Sequence, residues 1–307
     1  MATRGYPRDG GLAARMVFVM FLLGLLYVLF VAALAAIGLS LVFVLVLAGG
    51  FLLVQYWFSD RIALFSMGGK EVSAAEAPEL HGIVDRLCLL ADLPKPRVAI
   101  AESDVPNAFA TGRNQSSAVV CVTTGIMRRL DEPELEAVLS HELSHVAHRD
   151  VAVMTIAGFL GIAAGLLTRF VFYAGIFGGF GGGHDDDDDS GGLPVILAVV
   201  LVSAVVYAVS FFLTRALSRY RELSADRAGA MLTGAPSKLA SALVKISGEM
   251  ARIPTRDLRA AEPLNAFFFT PAVAPGFSLS SLFSTHPPLE RRLDQLAKME
   301  AGMGRQA

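Results

Sequence analysis

Two histidines and a glutamate lie together in the segment His141-Glu142-Leu143-Ser144-His145. On a helix, residues four positions apart share a face, so His141 and His145 can direct two imidazole nitrogens at one metal ion. This spacing is typical of Zn²⁺ sites, and Glu142 is placed to act as general acid and base on a water that the metal activates. The segment therefore indicates metal-dependent hydrolysis; the alternative is two surface histidines on a solvated helix face.

A catalytic zinc usually has three protein ligands, so a third ligand must come from elsewhere in the chain. A histidine six residues after His145 is excluded, because that position is Val151. His148 shares a helix face with His145, but three ligands on one helix are geometrically awkward. We therefore expect His148 at the rim of the site.

The segment SRYRELSADRAGA at 218–230 supplies a better candidate. Glu222 and Asp226 are four residues apart, so a helix places both on one face. Glu222 can bind the metal, while Asp226 can orient a ligand histidine through its other ring nitrogen. The alternative is a solvated acidic face that pairs with neighbouring arginines, namely Arg219, Arg221 and Arg227. Spacing alone does not decide between the two.

Short elements must position these groups. Residues 77–94 have apolar side chains at helical spacing, and Pro94 ends that pattern. Three β-type runs follow at 97–101, 107–112 and 117–123, with a hairpin turn at 112–115 between the last two. They predict a small antiparallel sheet.

The next element is a helix that starts at Asp131. This residue is a suitable N-cap, Pro133 is tolerated in the first turn, and Glu134 stands where a capping box needs a carboxylate. The helix is expected to carry His141 and His145 and to continue into the apolar stretch that starts at Val151.

The 307-residue chain is 54% hydrophobic and only 18% charged, with a mean hydropathy of +0.54. These values argue against a purely soluble enzyme, and a net charge of −2 gives no reason to expect a nucleic-acid partner. Two cysteines, Cys88 and Cys121, fit a reducing compartment.

Uncharged stretches predict about four transmembrane helices. The stretch Met16–Phe58 is twice the roughly 20 residues that one crossing needs, so it predicts a hairpin that turns near 36–40. Val151–Thr168 and Gly191–Thr214 predict a second pair, joined by a glycine- and aspartate-rich aqueous loop at 176–193. The alternative for this second pair is a buried helix of a globular lobe.

Basic residues fix the orientation, because Lys and Arg concentrate on the cytoplasmic side. All of them except Arg169 lie in 1–15, 59–150 or 215–307, which we therefore expect in the cytoplasm. A helical hairpin returns its ends to one side, so His141 and Glu222 can meet there. The predicted organisation is a cytoplasmic tail at 1–15, a membrane hairpin at 16–58, a catalytic region at 59–150, a second hairpin at 151–214 and a second catalytic region at 215–307.

Four ordered motifs, NAFATG at 107–112, HELSHVAHRD at 141–150, SRYRELSAD at 218–226 and STHPP at 284–288, resemble the HtpX-type membrane zinc endopeptidases. These are gluzincins related to the CAAX prenyl endoproteases. The resemblance implies a zincin-like domain, one Zn²⁺ per chain held by His141, His145 and Glu222, and Glu142 as the acid and base.

The resemblance also assigns roles to less obvious residues. It implies that Asp226 lies near His141, and that Asn107, Ala108 and Phe109 form a strand that pairs with an extended substrate. His286 can stabilise the developing oxyanion, or it can cap the helix that Pro287 opens. Arg219 or Arg221 can act in the same way or pair with acidic neighbours.

The sequence thus predicts a mostly α-helical protein of the cell membrane with its active site in the cytoplasm. The expected activity is zinc-dependent cleavage of misfolded or damaged membrane proteins, as in quality control under stress. Two alternatives are CAAX-type processing of lipidated proteins and a non-catalytic metal sensor or scaffold. The expected partners are peptide and protein substrates and the lipid bilayer.

Overall fold

The computed structural model describes residues 10–36, 41–150, 153–154, 164, 192–250 and 286–304. The chain divides into two compact units. The first comprises Met1–Ala13, Tyr56–Val153 and Ser218–Ala307, and the second comprises Ala14–Gln55 and Met154–Leu217.

Three long helices contain most of the apolar sequence that the structure describes. They are α1 (Gly10–Ala36), α2 (Leu41–Met67) and, later in the chain, a 42-residue helix at Gly192–Thr233. Two segments, Ala14–Ala36 and Leu197–Thr233, are long and apolar enough to cross a membrane. The expected turn at 37–40, the loop at 176–191 and nearly all of the 151–168 stretch lie outside the described residues. The structure therefore supports membrane helices but does not establish four of them.

A four-stranded sheet lies in the first unit. Its strands are β1 (Gly69–Glu71), β2 (Arg97–Ala101), β3 (Ala108–Thr111) and β4 (Val119–Thr123), in the order β1-β2-β4-β3. The β1–β2 and β3–β4 pairs are antiparallel, but β2 and β4 are parallel. The sheet is mixed, so the expectation of a purely antiparallel sheet was wrong. The chain reverses after β2 to form edge strand β3, and the hairpin then inserts β4 beside β2 in the same direction.

Five more described helices lie in the first unit with the sheet. They are α3 (Pro78–Ala91), α4 (Thr124–Arg129), α5 (Glu132–Ala147), α7 (Pro236–Met250) and α8 (Leu289–Met303); the long helix Gly192–Thr233 is α6. Their apolar faces bury one side of the sheet, with Leu87, Leu143 and Leu243 fully enclosed. The opposite side of the sheet packs against the end of α2 through Ala63 and Leu64. The sheet is thus covered on both faces, and β3 lies at its edge.

Helix α5 has the predicted start but ends earlier than expected. Asp131 and Glu134 form a reciprocal capping box, with 2.8 and 3.0 Å bonds between side chain and backbone. The helix ends at Ala147, and Arg149 adopts a left-handed conformation with φ of 57°. The expected continuation into the Val151 stretch was therefore wrong, because the left-handed residue turns the chain at this point.

Candidate active site

His141, His145 and Glu222 converge in the first unit. The two Nε2 atoms are 3.3 Å apart, and the Glu222 carboxylate oxygens are 3.6 Å from His141 Nε2 and 3.5 Å from His145 Nε2. One potential ligand atom from each residue lies within 4.8 Å of the others, and all three side chains are buried. Two imidazoles and a carboxylate with converging donor atoms are a suitable set for a divalent metal ion.

A close helix crossing brings these residues together. Gly229 of α6 lies so near α5 that an added Cβ would be 2.9 Å from the backbone nitrogen of His141. Ser140 Oγ also donates a 3.2 Å hydrogen bond to the carbonyl oxygen of Gly229. The absence of a side chain at Gly229 therefore lets α6 place Glu222 opposite the two histidines.

Behind His141 lies a fully buried ion pair. Asp226 Oδ1 is 2.9 Å from His141 Nδ1, which leaves the Nε2 of that ring directed at Glu222. Arg292 of α8 donates to both carboxylate oxygens of Asp226, at 2.7 and 2.6 Å. Asp226 thus lies next to His141, where the family resemblance places it. Arg292 was missed, since nothing in the local sequence relates it to a residue 66 positions earlier.

An equivalent pair lies behind His145. Asp150 Oδ2 is 2.7 Å from His145 Nδ1, and Arg221 Nε is 2.9 Å from the same oxygen. The left-handed Arg149 turns the chain so that Asp150 returns to the helix end. The sequence-based prediction did not include Asp150, and it left two roles open for Arg221, oxyanion stabilisation and pairing with acidic neighbours. The signal that could have identified Asp150 was a carboxylate five residues after the second histidine. Asp150 has a lowered pKa because Arg221 and His145 outweigh the effect of burial.

Glu142 is buried beside the cluster, and this burial raises the pKa of its carboxyl group, although the charges of His141 and His145 oppose the shift. The backbone N–H of Ala110 in β3 donates a 3.0 Å hydrogen bond to its Oε2. The predicted acid–base residue therefore contacts the edge strand of the sheet directly.

The predicted substrate strand lies at this edge, and its side chains are buried. The Thr123 backbone N–H donates to the Asn107 carbonyl oxygen, and the Asn107 N–H donates to Thr123 Oγ1, so Asn107 directs its backbone toward β4. Successive residues of a strand alternate in this direction. Phe109 therefore also directs its backbone toward β4, while Ala108 and Ala110 direct theirs toward the other edge. Ala110, which was not among the predicted residues, is the strand residue that contacts Glu142.

His286 lies beside Glu222, with its Nδ1 3.1 Å from Oε2. The N-cap of α8 is Pro288, and that cap has no side-chain hydrogen bond. His286 thus faces the metal-ligand candidates. His148 instead bonds through Nδ1 to the carbonyl oxygen of Ser144 at 2.8 Å and lies at the end of α5.

The charge around His141 strongly favours a cation. Burial alone would lower the pKa of its imidazole, but hydrogen bonds and charges from Asp226 and Glu222 outweigh burial and raise it to about 9. Without a metal, a proton stays in the site at neutral pH. A metal ion that binds here must displace this proton.

A scan of protein families matches residues 74–300 to peptidase family M48. Protease HtpX homolog 1 of Streptomyces coelicolor is 58% identical over 97% of this chain and 96% of its own length. Protease HtpX homolog 2 of Methanosarcina mazei is 53% identical over 98% of this chain and 99% of its own length. The crystal structure of S. mikatae Ste24p has a TM-score of 0.50 and 18% identity, covering 94% of this chain and 66% of that one, which shows a shared fold.

The fold, the buried histidine–glutamate cluster and these matches define a metallopeptidase with membrane helices. The chain belongs to peptidase family M48, and its near full-length similarity places it among the HtpX-type proteases. The predicted family is confirmed.

Proposed function

We propose that this protein is a zinc-dependent endopeptidase with His141, His145 and Glu222 as metal ligands. The observation that carries the proposal is the convergence of these three buried donors next to Glu142. Each ring nitrogen that points away from the cluster faces an aspartate, which is the usual arrangement behind zinc-binding histidines. Bound zinc would supply Lewis acidity, polarising the scissile carbonyl and making water acidic enough to ionise near neutral pH.

The chain's own groups would handle the protons and the substrate. Glu142 accepts the proton of the attacking water and returns it to the nitrogen of the leaving amine. Its raised pKa suits this exchange, because a carboxyl group that binds a proton more readily is a better acid–base shuttle near neutral pH. His286 donates a hydrogen bond to the oxyanion that develops on the carbonyl oxygen.

An extended peptide would pair with the edge of β3 that faces away from β4 in the described sheet. Main-chain hydrogen bonds to the Ala108 backbone and to the Ala110 carbonyl oxygen do not depend on the side chains of the substrate, so the enzyme would accept many sequences. Such breadth suits quality control of misfolded or damaged membrane proteins. We infer a multi-pass protein of the cell membrane with hairpins at 16–58 and 151–214, and a cytoplasmic active site built from 59–150 and 215–307. The distribution of basic residues supports that orientation.

The deciding experiment compares Glu142→Gln with Glu132→Gln, an exposed position on the same helix. Zinc content and casein digestion are measured on the full-length protein in detergent. We expect Glu142→Gln to retain zinc and to lose activity by about 10²–10⁴-fold, and Glu132→Gln to match the parent. Undiminished digestion by Glu142→Gln refutes the role of this carboxylate.

Two further results would replace the proposal by another function. Zinc binding with no cleavage of casein or of membrane proteins by the parent would indicate a metal sensor or scaffold. Cleavage restricted to a farnesylated peptide would indicate CAAX-type processing.

A further inference from the structure

The charge-free stretch of the N-terminal helices ends in aromatic residues. Tyr56, Trp57 and Phe58 close this stretch on α2, and Asp60 and Arg61 follow within one turn. The Trp57 side chain is 55% exposed, and the guanidinium carbon of Arg61 is 5.9 Å from the centre of the Phe58 ring. Tyrosine and tryptophan side chains, and arginine side chains that snorkel toward water, are typical of the headgroup level of a bilayer.

The turn after β3 contacts α2 at these aromatic residues. The guanidinium carbon of Arg113 lies 4.8 Å from the centre of the Trp57 ring, and its Nη1 donates to the Trp57 carbonyl oxygen at 3.5 Å. Tyr56 donates from its hydroxyl group to the carbonyl oxygen of Arg113 at 3.4 Å. We call Tyr56, Trp57 and Arg113 the interfacial cluster.

Further along α2, the helix is fastened to the sheet. Asp60 pairs with Arg97 of β2 at 2.5 Å, and Leu64 packs in one cluster with Phe109. From Trp57 to Leu64 a helix advances about 10 Å, and from Phe109 through the end of β3 to Arg113 an extended chain covers at most about 13 Å. The two spans match, so β3 runs along α2 in the opposite direction, with its C-terminal end toward the interfacial cluster.

We propose that the interfacial cluster lies in the headgroup layer of the bilayer, and that β3 therefore receives substrate segments that emerge directly from that layer. This inference rests on the proposed peptidase function, and it names the substrate class: juxtamembrane segments that follow a transmembrane helix. The polarity follows from the strand. Antiparallel pairing is slightly more stable per residue than parallel pairing, so we take it for the substrate. Because β3 runs toward the bilayer, a segment that pairs with it in this way runs away from the bilayer, with its N-terminal side nearest the lipid.

The same geometry sets the distance of the cleaved bond from the membrane. Ala110, which contacts Glu142, is three residues from Arg113, or about 10 Å along an extended chain. A peptide bond must therefore lie at least about three residues beyond the lipid surface to reach Glu142. Bonds closer to the substrate's own helix stay out of reach.

Depth is measured on the full-length protein in lipid vesicles. Trp57 is the only tryptophan, so its fluorescence reports on this cluster alone. We expect stronger quenching by lipids brominated near the headgroup than by lipids brominated near the chain end. The matched control is Trp57→Phe with Phe65→Trp, which moves the fluorophore about 12 Å along α2 and should weaken quenching. Equal quenching of both proteins, or strongest quenching of Trp57 by the deepest bromines, overturns the placement.

Substrate polarity is tested in the same vesicles with two series of model proteins. Each has one transmembrane helix and one flexible cleavable tail on the same membrane side as the active site; the tail follows the helix in one series and precedes it in the other. Mass spectrometry maps the cut sites. We expect at least tenfold faster cleavage when the tail follows the helix, with cuts beginning three to five residues from it. Equal rates for the two series, or cuts that begin only beyond about ten residues, overturn the inference.

Casein digestion by the same preparation separates this inference from the proposed function. If casein is cut in a manner that depends on Glu142 while polarity and distance have no effect, the peptidase stands and the juxtamembrane specificity is wrong. If casein is not cut either, the proposed function has failed first.

Discussion

Each of the two histidines that face Glu222 is held from behind by an aspartate, and each aspartate by an arginine. Asp226 and Arg292 serve His141, and Asp150 and Arg221 serve His145. A carboxylate at Nδ1 fixes the ring orientation and makes Nε2 a stronger metal ligand. The arginines compensate the buried carboxylates, and removal of either would leave an uncompensated charge at a cost of about 3–5 kcal/mol.

Replacement of the aspartate behind His145 tests this arrangement. Asp150→Asn keeps an oxygen that can accept a hydrogen bond but removes the charge, so we expect zinc affinity to fall by about 10–100-fold. The measurement is competition with a chromophoric chelator. Asp294→Asn is the control, because Asp294 is an exposed carboxylate paired with Lys298. The zinc affinity of this variant should equal that of the parent. A folded Asp150→Asn protein that binds zinc as tightly as the parent would contradict the assigned role.

The raised pKa of His141 makes metal binding depend on pH. Its pKa is about 9 without metal, against an ordinary value of 6.5, so binding at pH 7 must release this proton. We expect zinc affinity to rise by about tenfold per pH unit between about 7 and 9 and then to level off. Calorimetry in buffers of different ionisation enthalpy counts the released protons.

The same pKa shift predicts the opposite trend for the stability of the metal-free protein. The protonated imidazole interacts favourably with Asp226 and Glu222, and this contribution is complete below the ordinary pKa of 6.5. It is lost as the pH rises through about 9, so the thermal midpoint of the metal-free protein should fall over that interval. Affinity and midpoint that both stay constant from pH 7 to 9 would show that His141 is not protonated.

At the level of elements, the site depends on how closely α6 crosses α5. Glu222 and Gly229 lie two turns apart on α6, and the contact of Gly229 with the His141 backbone sets the distance between the helices. Backbone atoms cannot move aside as a flexible side chain can. Added side-chain volume at this crossing must therefore shift one helix against the other. Such a shift would change the separation of the three ligand candidates.

Gly229→Ala measures this dependence. The added Cβ would meet the His141 backbone at 2.9 Å, so we expect a loss of about 1–3 kcal/mol in the free energy of unfolding and weaker zinc binding. Gly248→Ala on α7 is the matched control, since its Cβ would meet nothing within 4 Å. The control should be neutral or gain up to about 1 kcal/mol, because alanine favours a helix. If both changes weaken zinc binding equally, close packing at Gly229 is not what holds the three ligand candidates at the right separation.

Elements with a strong local pattern were predictable from the sequence. Apolar spacing identified α3, and the capping box identified the start of α5. The spacing of His141 and His145 identified the face of α5 that carries the metal-ligand candidates. The parallel pairing of β2 with β4 was not predictable in this way, because alternation along a strand does not define its neighbour. Asp150 depends on a left-handed turn at Arg149, and Arg292 on the docking of a distant helix, so neither has a local signal.

Considered as a whole molecule, the protein assembles its candidate metal ligands from distant parts of the chain but within one unit. His141 and His145 come from α5 and Glu222 comes from α6, and all three belong to the first unit. An ion bound by these three residues connects segments that the unfolded chain cannot hold together. Metal binding should therefore stabilise the folded first unit in particular.

Metal removal tests this coupling. Zinc that binds only the folded state adds about 2.7 kcal/mol at a concentration one hundred times its Kd, so a chelator should lower the thermal midpoint and zinc should restore it. Hydrogen exchange should locate the loss of protection in α5, in α8 and in the Ser218–Thr233 part of α6. The Ala14–Ala36 part of helix α1, which belongs to the second unit, serves as the internal reference.

Two variants separate the stabilising role of the metal from its catalytic role. Glu142→Gln keeps all three proposed ligands, so the inactive protein should show the full zinc-dependent rise in thermal midpoint. Glu222→Gln replaces a charged ligand by a neutral amide, and its rise should be small or absent at the same zinc concentration. A full rise with Glu222→Gln would place the stabilising ion elsewhere in the chain. A lost rise with Glu142→Gln would mean that this carboxylate binds the metal and does not serve only to move protons.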